Sequence, residues 1–359
     1  MGCTKSIQTK NKEIYYKVRT LGKDSAIRHN FVVRSEKTRE EFAFKIIKVS
    51  NLTEKERNKI QNENEILKKI DHPNIITLNN TYYTNDKKYL HVITEYADGG
   101  DLQMKLNEQK EKKEYFDENS LLDWFMQICF ALVYIHDKNI IHRNIKPSNI
   151  FLMKQNFVKL GDFGVAKILS SNLNQAKTIV TSFEYSAPEI INKQKYSFKA
   201  DIWSLGVTFY QLITLNYPFE GADNTEIEEN IMKRKIKEIP NDCHIDKSFL
   251  DIINKMMSLK PDDRPKAKEI LEEAIIKTRM DCYLRENKFN AQEATEAIKE
   301  YEKNKKKEFK EIRVSDEEVK ELFPDLNEEI EVFKENKANY DLNRQMTIMS
   351  KKIKKTKSI

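Results

Sequence analysis

The sequence predicts an α+β protein made of two lobes, a small mainly β lobe followed by a larger mainly α lobe, with a charged helical extension after them. Three observations carry this expectation. Residues 14–96 hold short segments rich in β-branched and aromatic residues, among them Phe31-Val32-Val33 and Phe42-Ala43-Phe44-Lys45-Ile46-Ile47, the pattern of half-buried strands. Asp98-Gly99-Gly100-Asp101 interrupts that pattern as a connector between lobes would. From Leu102 onward the apolar residues recur at helical spacing.

The individual elements follow in order. Thr53 to Ile70 reads as a helix through Ile60, Glu63, Ile66, Leu67 and Ile70, and His72-Pro73-Asn74 ends it. Tyr89 to Thr94 is a further strand. Ser120 to Asp137 is amphipathic, with Trp124, Phe125, Ile128, Ala131, Leu132 and Ile135 on its apolar side, and Lys199 to Leu215 is apolar nearly all round, so it should be a buried central helix. The last helix of the domain is expected to end near Ile276. The expected division is a basic N-terminal segment 1–13, a domain 14–276 with lobes 14–96 and 97–276, and an extension 277–359. In that extension Ser315-Asp316-Glu317-Glu318 forms a capping box that starts a short helix, limited by Pro324. Its apolar residues are too sparse for a core of its own, so it either packs on the second lobe or stays partly disordered. No internal repeat is found.

Composition bounds the function. The chain has 359 residues, 39% of them hydrophobic and 33% charged, with only 8 glycines, enough for one two-lobed unit with a real core and solvated helices. No run of 18 apolar residues exists, so no membrane span is expected. Four scattered cysteines, Cys3, Cys129, Cys243 and Cys282, have no paired metal spacing and suit a reducing, cytoplasmic setting. The net charge of +6 equals the six cations without an acid between Leu342 and Ile359, namely Arg344, Lys351, Lys352, Lys354, Lys355 and Lys357, and Lys5, Lys10 and Lys12 precede the first acid, Glu13. Both ends are therefore cationic. At the N-terminus, Met1-Gly2-Cys3-Thr4-Lys5-Ser6 fits N-myristoylation at Gly2 with Ser6 at the preferred position. Cys3 is a candidate for palmitoylation, and a second chain or a basic patch is what turns marginal acyl anchoring into stable anchoring. A solvated end that happens to begin Met-Gly is the alternative.

Chemistry concentrates in an ordered set of motifs. Lys45 lies on an apolar strand and Glu63 on the following helix. His142-Arg143-Asn144-Ile145-Lys146-Pro147-Ser148-Asn149 is followed by Val158-Lys159-Leu160 and Asp162-Phe163-Gly164. Then come Ala187-Pro188-Glu189, Asp201-Ile202-Trp203-Ser204-Leu205-Gly206 and Asp263-Arg264-Pro265. Singly each motif is weak; in this order and over this span they are specific.

Together these residues resemble a eukaryotic protein kinase over about residues 14–276, hence a two-lobed protein kinase-like fold. The closest resemblance is to the NIMA-related serine/threonine kinases, carried by Glu95-Tyr96-Ala97-Asp98-Gly99-Gly100-Asp101-Leu102, Asp123-Trp124-Phe125-Met126-Gln127-Ile128-Cys129 and Asn149-Ile150-Phe151-Leu152. The resemblance implies ATP and Mg2+ as ligands and a protein serine or threonine as acceptor. It implies that Gly22, Ala43, Lys45, Glu63, Glu95, Ala97 and Phe151 form the nucleotide site, with Lys45 gripping the α and β phosphates and Glu63 pairing with it. Asp162 and Asn149 would hold the metal, and Lys146 would neutralise the γ-phosphate. Glu189 would pair with Arg264, and Asp201 would brace the catalytic loop, both as structural residues. Arg143 would receive a phosphate on Thr178, with Thr181 and Ser182 nearby; a merely solvated Thr/Ser-rich loop is the alternative. Centrosomal, ciliary or microtubule association is a habit of the group and rests on the resemblance alone.

The chain departs from that pattern twice. Where the loop should carry an aspartate to accept the proton of the substrate hydroxyl, it has Asn144, and an amide cannot take up a proton at neutral pH; losing a general base costs about 100- to 10,000-fold. In the phosphate-covering loop after Gly22, the glycines expected at 24 and 27 are Asp24 and Ile27, which removes the close backbone approach that glycine allows. Lys23 and Arg28 offset part of the added negative charge, and His29 stands where a valine usually covers the adenine. The expected function is a catalytically impaired kinase-fold scaffold or allosteric regulator with weakened ATP binding. The rival readings are an active serine/threonine kinase and an assembly component that binds no nucleotide. The basic tail reads as a lipid contact, a dock for an acidic, tubulin-like partner, or a solubilising end; no DNA partner is expected. The expected location is cytoplasmic, with membrane association through Gly2 and Cys3.

Overall fold

Short segments of alternating β-branched and aromatic residues assemble one antiparallel sheet at the N-terminal side of the molecule. In the computed structural model, residues 6–8, 14–21, 28–50, 52–153, 156–162, 183–195 and 197–286 are described. The strands are β1 (Ser6–Gln8), β2 (Ile14–Thr20), β3 (Arg28–Ser35), β4 (Glu41–Lys48), β5 (Leu78–Tyr83) and β6 (Tyr89–Glu95), in the order β1-β2-β3-β4-β6-β5. β1 was not expected: within the N-terminal basic segment, Ser6–Gln8 pairs with β2, Ile7 opposite Tyr15.

Helix α1 (Glu54–Leu67) enters between β4 and β5. It starts where the sequence predicts, because Thr53 accepts from the Glu56 N–H while the Glu56 carboxylate accepts from the Thr53 N–H at 2.7 Å. It stops at Leu67, three residues short of Ile70.

Opposed residues on antiparallel strands share a face of the sheet. Ala43 and Lys45 of β4 face the same way as Val32 and Asn30 of β3, and as Thr94 and Val92 of β6. On that side Ile47, Leu90 and Val92 pack with Ile60 of α1. Phe44 and Ile46 face the other way, where Tyr15, Val33, Phe44 and Ile93 form a separate cluster.

Beyond the sheet the chain turns at Gly99 and Gly100. A Cβ on Gly99 would lie 2.7 Å from the Leu152 carbonyl oxygen, and Gly100 has φ of +79°, so the connector sequence is fixed by space and by backbone sign. The second lobe then runs through α2 (Leu102–Lys112), α3 (Glu118–His136), the hairpin β7 (Ile150–Leu152) with β8 (Val158–Leu160), α4 (Pro188–Ile191), α5 (Phe198–Thr214), α6 (Asn224–Met232), α7 (Lys247–Met256), α8 (Ala267–Leu271) and α9 (Ala274–Glu286). The expected helices Ser120–Asp137 and Lys199–Leu215 are α3 and α5. Asp117 and Ser197 cap their starts, and Leu215, at φ of 61°, ends α5. Both helices are buried along almost their whole length, around Phe125, Trp203, Phe209 and Phe249. Among the described residues no helix is long and apolar enough to cross a membrane.

The two lobes are joined through Asn74, just beyond α1. Its Nδ2 donates to Gln127 Oε1 of α3 at 3.1 Å and to the Val158 carbonyl at 2.9 Å, while its own carbonyl accepts from the Leu160 N–H at 2.8 Å.

The last helix corrects the sequence reading. It was expected to end near Ile276, yet α9 continues to Glu286. The cause is a pair of residues that look solvated in sequence: Arg279 clamps Asp123 of α3 at 2.6 and 2.9 Å and Glu286 at 2.9 and 2.8 Å, with Tyr283 buried beside them. The capping box at Ser315 lies outside the described residues, as do Gly2, Cys3 and the basic tail.

Candidate active site

The loop between α3 and β7 is held by one buried carboxylate. Asp201, fully buried near the start of α5, accepts from the backbone N–H of His142 at 2.9 Å and of Arg143 at 2.8 Å, and meets His136 Nε2 at 2.9 Å. These bonds hold Arg143 at φ of 68°. His142 adds a second brace. Its Nδ1 accepts from the Asn144 N–H at 3.3 Å, so Nε2 carries the proton and donates to the Gly161 carbonyl at 3.0 Å. Burial holds the His142 imidazole below its usual pKa, keeping it neutral.

Asn149 closes the loop. Its Nδ2 donates to the Asn144 carbonyl at 2.7 Å, and its own carbonyl accepts from the Gly161 N–H at 2.9 Å. The Asn149 amide oxygen is thereby left as the acceptor end. Lys146, half-buried, precedes the short turn Pro147–Asn149. The half-buried Asn144 is fixed through its backbone, and among the described residues its carboxamide makes no hydrogen bond.

Across the cleft, Lys45 of β4 reaches Asp162, which follows β8 and sits at φ of 63°. The Lys45 Nζ also stands 5.8 Å from the centre of the Phe151 ring. Phe151 lies against Gly161, where an added Cβ would come within 2.8 Å of its Cε2. Ala43 lies on the same face of the sheet as Lys45, and Ala97 is buried at the connector. Glu63 is half-buried on α1.

Four features of the site were not read from the sequence. The Glu95 carboxylate turns away to Lys159 Nζ at 2.8 Å to each oxygen, and its backbone N–H donates to the Thr77 carbonyl at 2.9 Å. Asp101 caps α2 by accepting from the Met104 N–H at 2.9 Å; burial first, and the facing Asp162 carboxylate as well, raise its pKa. Its signal was available, since an Asp that ends a glycine turn before a helical run is an N-cap. Asn64 of α1 is 2% exposed with an unpartnered Nδ2, and it lines a cavity of about 30 Å³ together with Lys45, Thr94 and Asp162. Lastly, the strand register corrects the position given to His29. His29 lies opposite Ile46, on the face away from Lys45, and the residue opposite Lys45 is Asn30. Counting from Gly22 fails because the number of residues in the intervening loop does not set the register of the hairpin.

At the far side of the second lobe, Arg264 holds Glu189 through two bonds of 2.7 and 2.8 Å, with both side chains buried. Arg264 also donates to the carbonyls of Ser258, Lys199 and Leu259, so its guanidinium is well satisfied. Gly22, Asp24, Ile27, Phe163, Gly164, Thr178, Thr181 and Ser182 lie outside the described residues.

A lysine on a strand is paired with an aspartate after a hairpin, and the loop between α3 and β7 is braced by a helix aspartate. The protein kinase domain family matches residues 16–276. This chain belongs to the protein kinases, in the NIMA-related group. It is 34% identical to the mouse (Mus musculus) serine/threonine-protein kinase Nek1 over 76% of this chain and 22% of that protein. It is 37% identical to the probable serine/threonine-protein kinase nek3 of Dictyostelium discoideum over 72% of this chain and 23% of that protein. With the serine/threonine-protein kinase nekl-2 of Caenorhabditis elegans it shares 33% identity over 68% of each chain. The chain thus spans under a quarter of the length of Nek1 and of nek3.

Proposed function

We propose that this NIMA-related kinase is catalytically impaired and acts as a scaffold or allosteric regulator with a weakened nucleotide site. One observation carries the reading. The loop that would present the substrate hydroxyl is fully braced, by Asp201, His142 and Asn149, and the residue it presents is Asn144. A carboxamide cannot accept the hydroxyl proton, and the absent base lowers turnover by about 100- to 10,000-fold.

The remaining parts suit a nucleotide. Lys45 would bind the α and β phosphates, and Lys146 the γ-phosphate. Asp162 offers a carboxylate and Asn149 an amide oxygen whose nitrogen is already engaged at 2.7 Å; this hard oxygen donor set fits Mg2+. Bound there, the cation would neutralise charge on the β and γ phosphates. Asp24 and Ile27 in place of glycines weaken affinity for the triphosphate.

Serine/threonine phosphotransfer at a low rate is the second reading. It is favoured by the same assembled loop, because phosphoryl transfer depends chiefly on positioning and an amide oxygen can still orient a hydroxyl. Incubation of the purified chain with Mg-ATP and a basic protein acceptor separates the two: no label is expected, and efficient labelling would contradict impairment.

The setting of the protein is proposed on the sequence alone. It is cytoplasmic and membrane-associated, acylated at Gly2 and Cys3, with the cationic tail as a dock for an acidic, tubulin-like partner. A phosphate on Thr178 would dock on Arg143 and order the intervening segment without any need for catalysis. Myristate incorporation that is lost in Gly2→Ala is the expected result for the anchor; an unlabelled wild-type chain would refute it.

A further inference from the structure

The ends of α4 and α6 lie side by side on the second lobe, where Asn192 Nδ2 donates to Met232 Sδ at 3.7 Å. Just beyond each helix the chain turns at a residue of positive φ, Lys193 at 57° and Arg234 at 51°. The residues that follow the contact are Lys193 and Lys195 on one side and Lys233 and Lys235 on the other, and all four are exposed. Arg234 is spent on the carbonyls of Met257 and Asn254. The local carboxylates do not neutralise this ridge. Glu229 is engaged by Lys233 at 2.8 Å and Glu220 by Lys237 at 2.8 Å, and Glu228, one turn before Met232, is half-buried. Among the described residues Lys193, Lys195 and Lys235 make no ion pair. Beside these cations in the chain Ile191, Met232 and Ile236 are only half-buried, which leaves apolar surface at the same place.

A complementary segment lies in the same chain. Residues 315–335 hold nine acids against two lysines, a net charge of −7, with Leu322, Phe323 and Phe333 as apolar anchors among the acids. From the end of α9 at Glu286 the roughly 30 residues leading to this segment span up to about 100 Å, against a radius of gyration of about 18 Å for a domain of this size, so the segment reaches the ridge. We propose that residues 315–335 dock back on the α4–α6 ridge, their carboxylates on Lys193, Lys195 and Lys235 and their apolar residues on Ile191, Met232 and Ile236. Opposite charge fixes the register of such a contact and rejects wrong partners, while the apolar anchors hold it. The dock is independent of the reading of the cleft. It covers the surface beside α4, which follows directly on the stretch that carries Thr178, Thr181 and Ser182, and it competes with any acidic protein partner for the same lysines. The cationic tail between Leu342 and Ile359 is the rival site for the acids, and the test separates the two.

The test is zero-length carbodiimide coupling of carboxylates to amines in the full, unmodified chain at low micromolar concentration, with the monomer band mapped by mass spectrometry. Amide links should join acids of 316–335 to Lys193, Lys195 or Lys235. A second measurement needs no coupling: chymotrypsin cuts after Phe323 and Phe333, and the cutting rate reports how often the segment leaves the ridge. The combined variant Lys193→Glu, Lys195→Glu and Lys235→Glu should be cut about fivefold faster or more, and adding Glu328→Lys, Glu329→Lys and Glu331→Lys to it should restore slow cutting. Raising the salt from about 0.1 to 1 M, which shortens the screening length from about 10 to 3 Å, should speed cutting of the unmodified chain in the same way. Each variant should melt within about 2 °C of the unmodified chain, because the altered residues are exposed. Three outcomes overturn the dock: links from the acids that go only to the lysines of the tail, links that appear only between molecules or not at all, or cutting that is unchanged when the ridge lysines are reversed.

Discussion

Asn144→Asp should convert the chain into a working phosphotransferase. The change swaps an amide for a carboxylate of the same shape, and the backbone around it is held independently of that side chain. The Asn144 carbonyl takes the Asn149 Nδ2 at 2.7 Å, its N–H donates to His142 Nδ1 at 3.3 Å, and the two preceding N–H groups are bonded to Asp201 at 2.9 and 2.8 Å. The new carboxylate is therefore positioned without rebuilding the loop, and restoring a general base should raise kcat by about 100- to 10,000-fold, roughly 2.7–5.4 kcal/mol of barrier at 1.36 kcal/mol per decade. Neither Lys45 nor Asp162 is altered, so the affinity for Mg-ATP should stay within about twofold. The assay is steady-state transfer of radiolabelled γ-phosphate to a basic protein acceptor, with nucleotide affinity measured separately by titration. A rise of less than tenfold with Mg-ATP bound would refute the reasoning, because the missing base would then not be what limits turnover.

Three further outcomes follow from the geometry. Glu189→Gln leaves Arg264 buried without its counter-charge; loss of one member of a buried pair costs about 3–5 kcal/mol, and the three carbonyls still facing Arg264 place the value near the lower end, so calorimetry should show a melting point lower by roughly 6–12 °C. Asn64→Val removes the unpartnered Nδ2 beside the cavity and should raise denaturant stability by about 1 kcal/mol; a loss of more than 1 kcal/mol would mean that the amide is paired in solution. In acid, burial depresses the pKa of both His142 and His91. The unfolded chain then binds protons that the folded chain does not, so stability is complete above about pH 6.5 and falls as the pH drops below it. His91→Phe should flatten that decline in a pH series of denaturation midpoints, and an unchanged slope would count against it.

Much of the fold can be read from the sequence because local and global signals agree there. Thr53 and Glu56 announce the start of α1 and form the box that caps it; the apolar runs of α3 and α5 are buried on nearly every side. Among the site residues, Asp201 holds the loop and Glu189 reaches Arg264, whereas the pairing of Lys45 with Asp162 was not read from the sequence. Contacts set by long-range register or by pairing of distant charges are a different matter. His29 and Asn30 are neighbours in sequence, and only the pairing with β4 decides which of them faces Lys45. Arg279 looks like a surface cation until Asp123, 156 residues away in sequence, turns out to be its buried partner, which is why α9 runs past Ile276. Glu95 likewise spends its carboxylate on Lys159, 64 residues on.

The most direct test of impairment is single-turnover transfer from saturating Mg-ATP by the unmodified chain, run beside Asp162→Asn. The account predicts a trace that stays at the level of the Asp162→Asn control, or a rate no more than about 1% of that of the Asn144→Asp variant. Fast labelling by the unmodified chain that disappears in Asp162→Asn would contradict it.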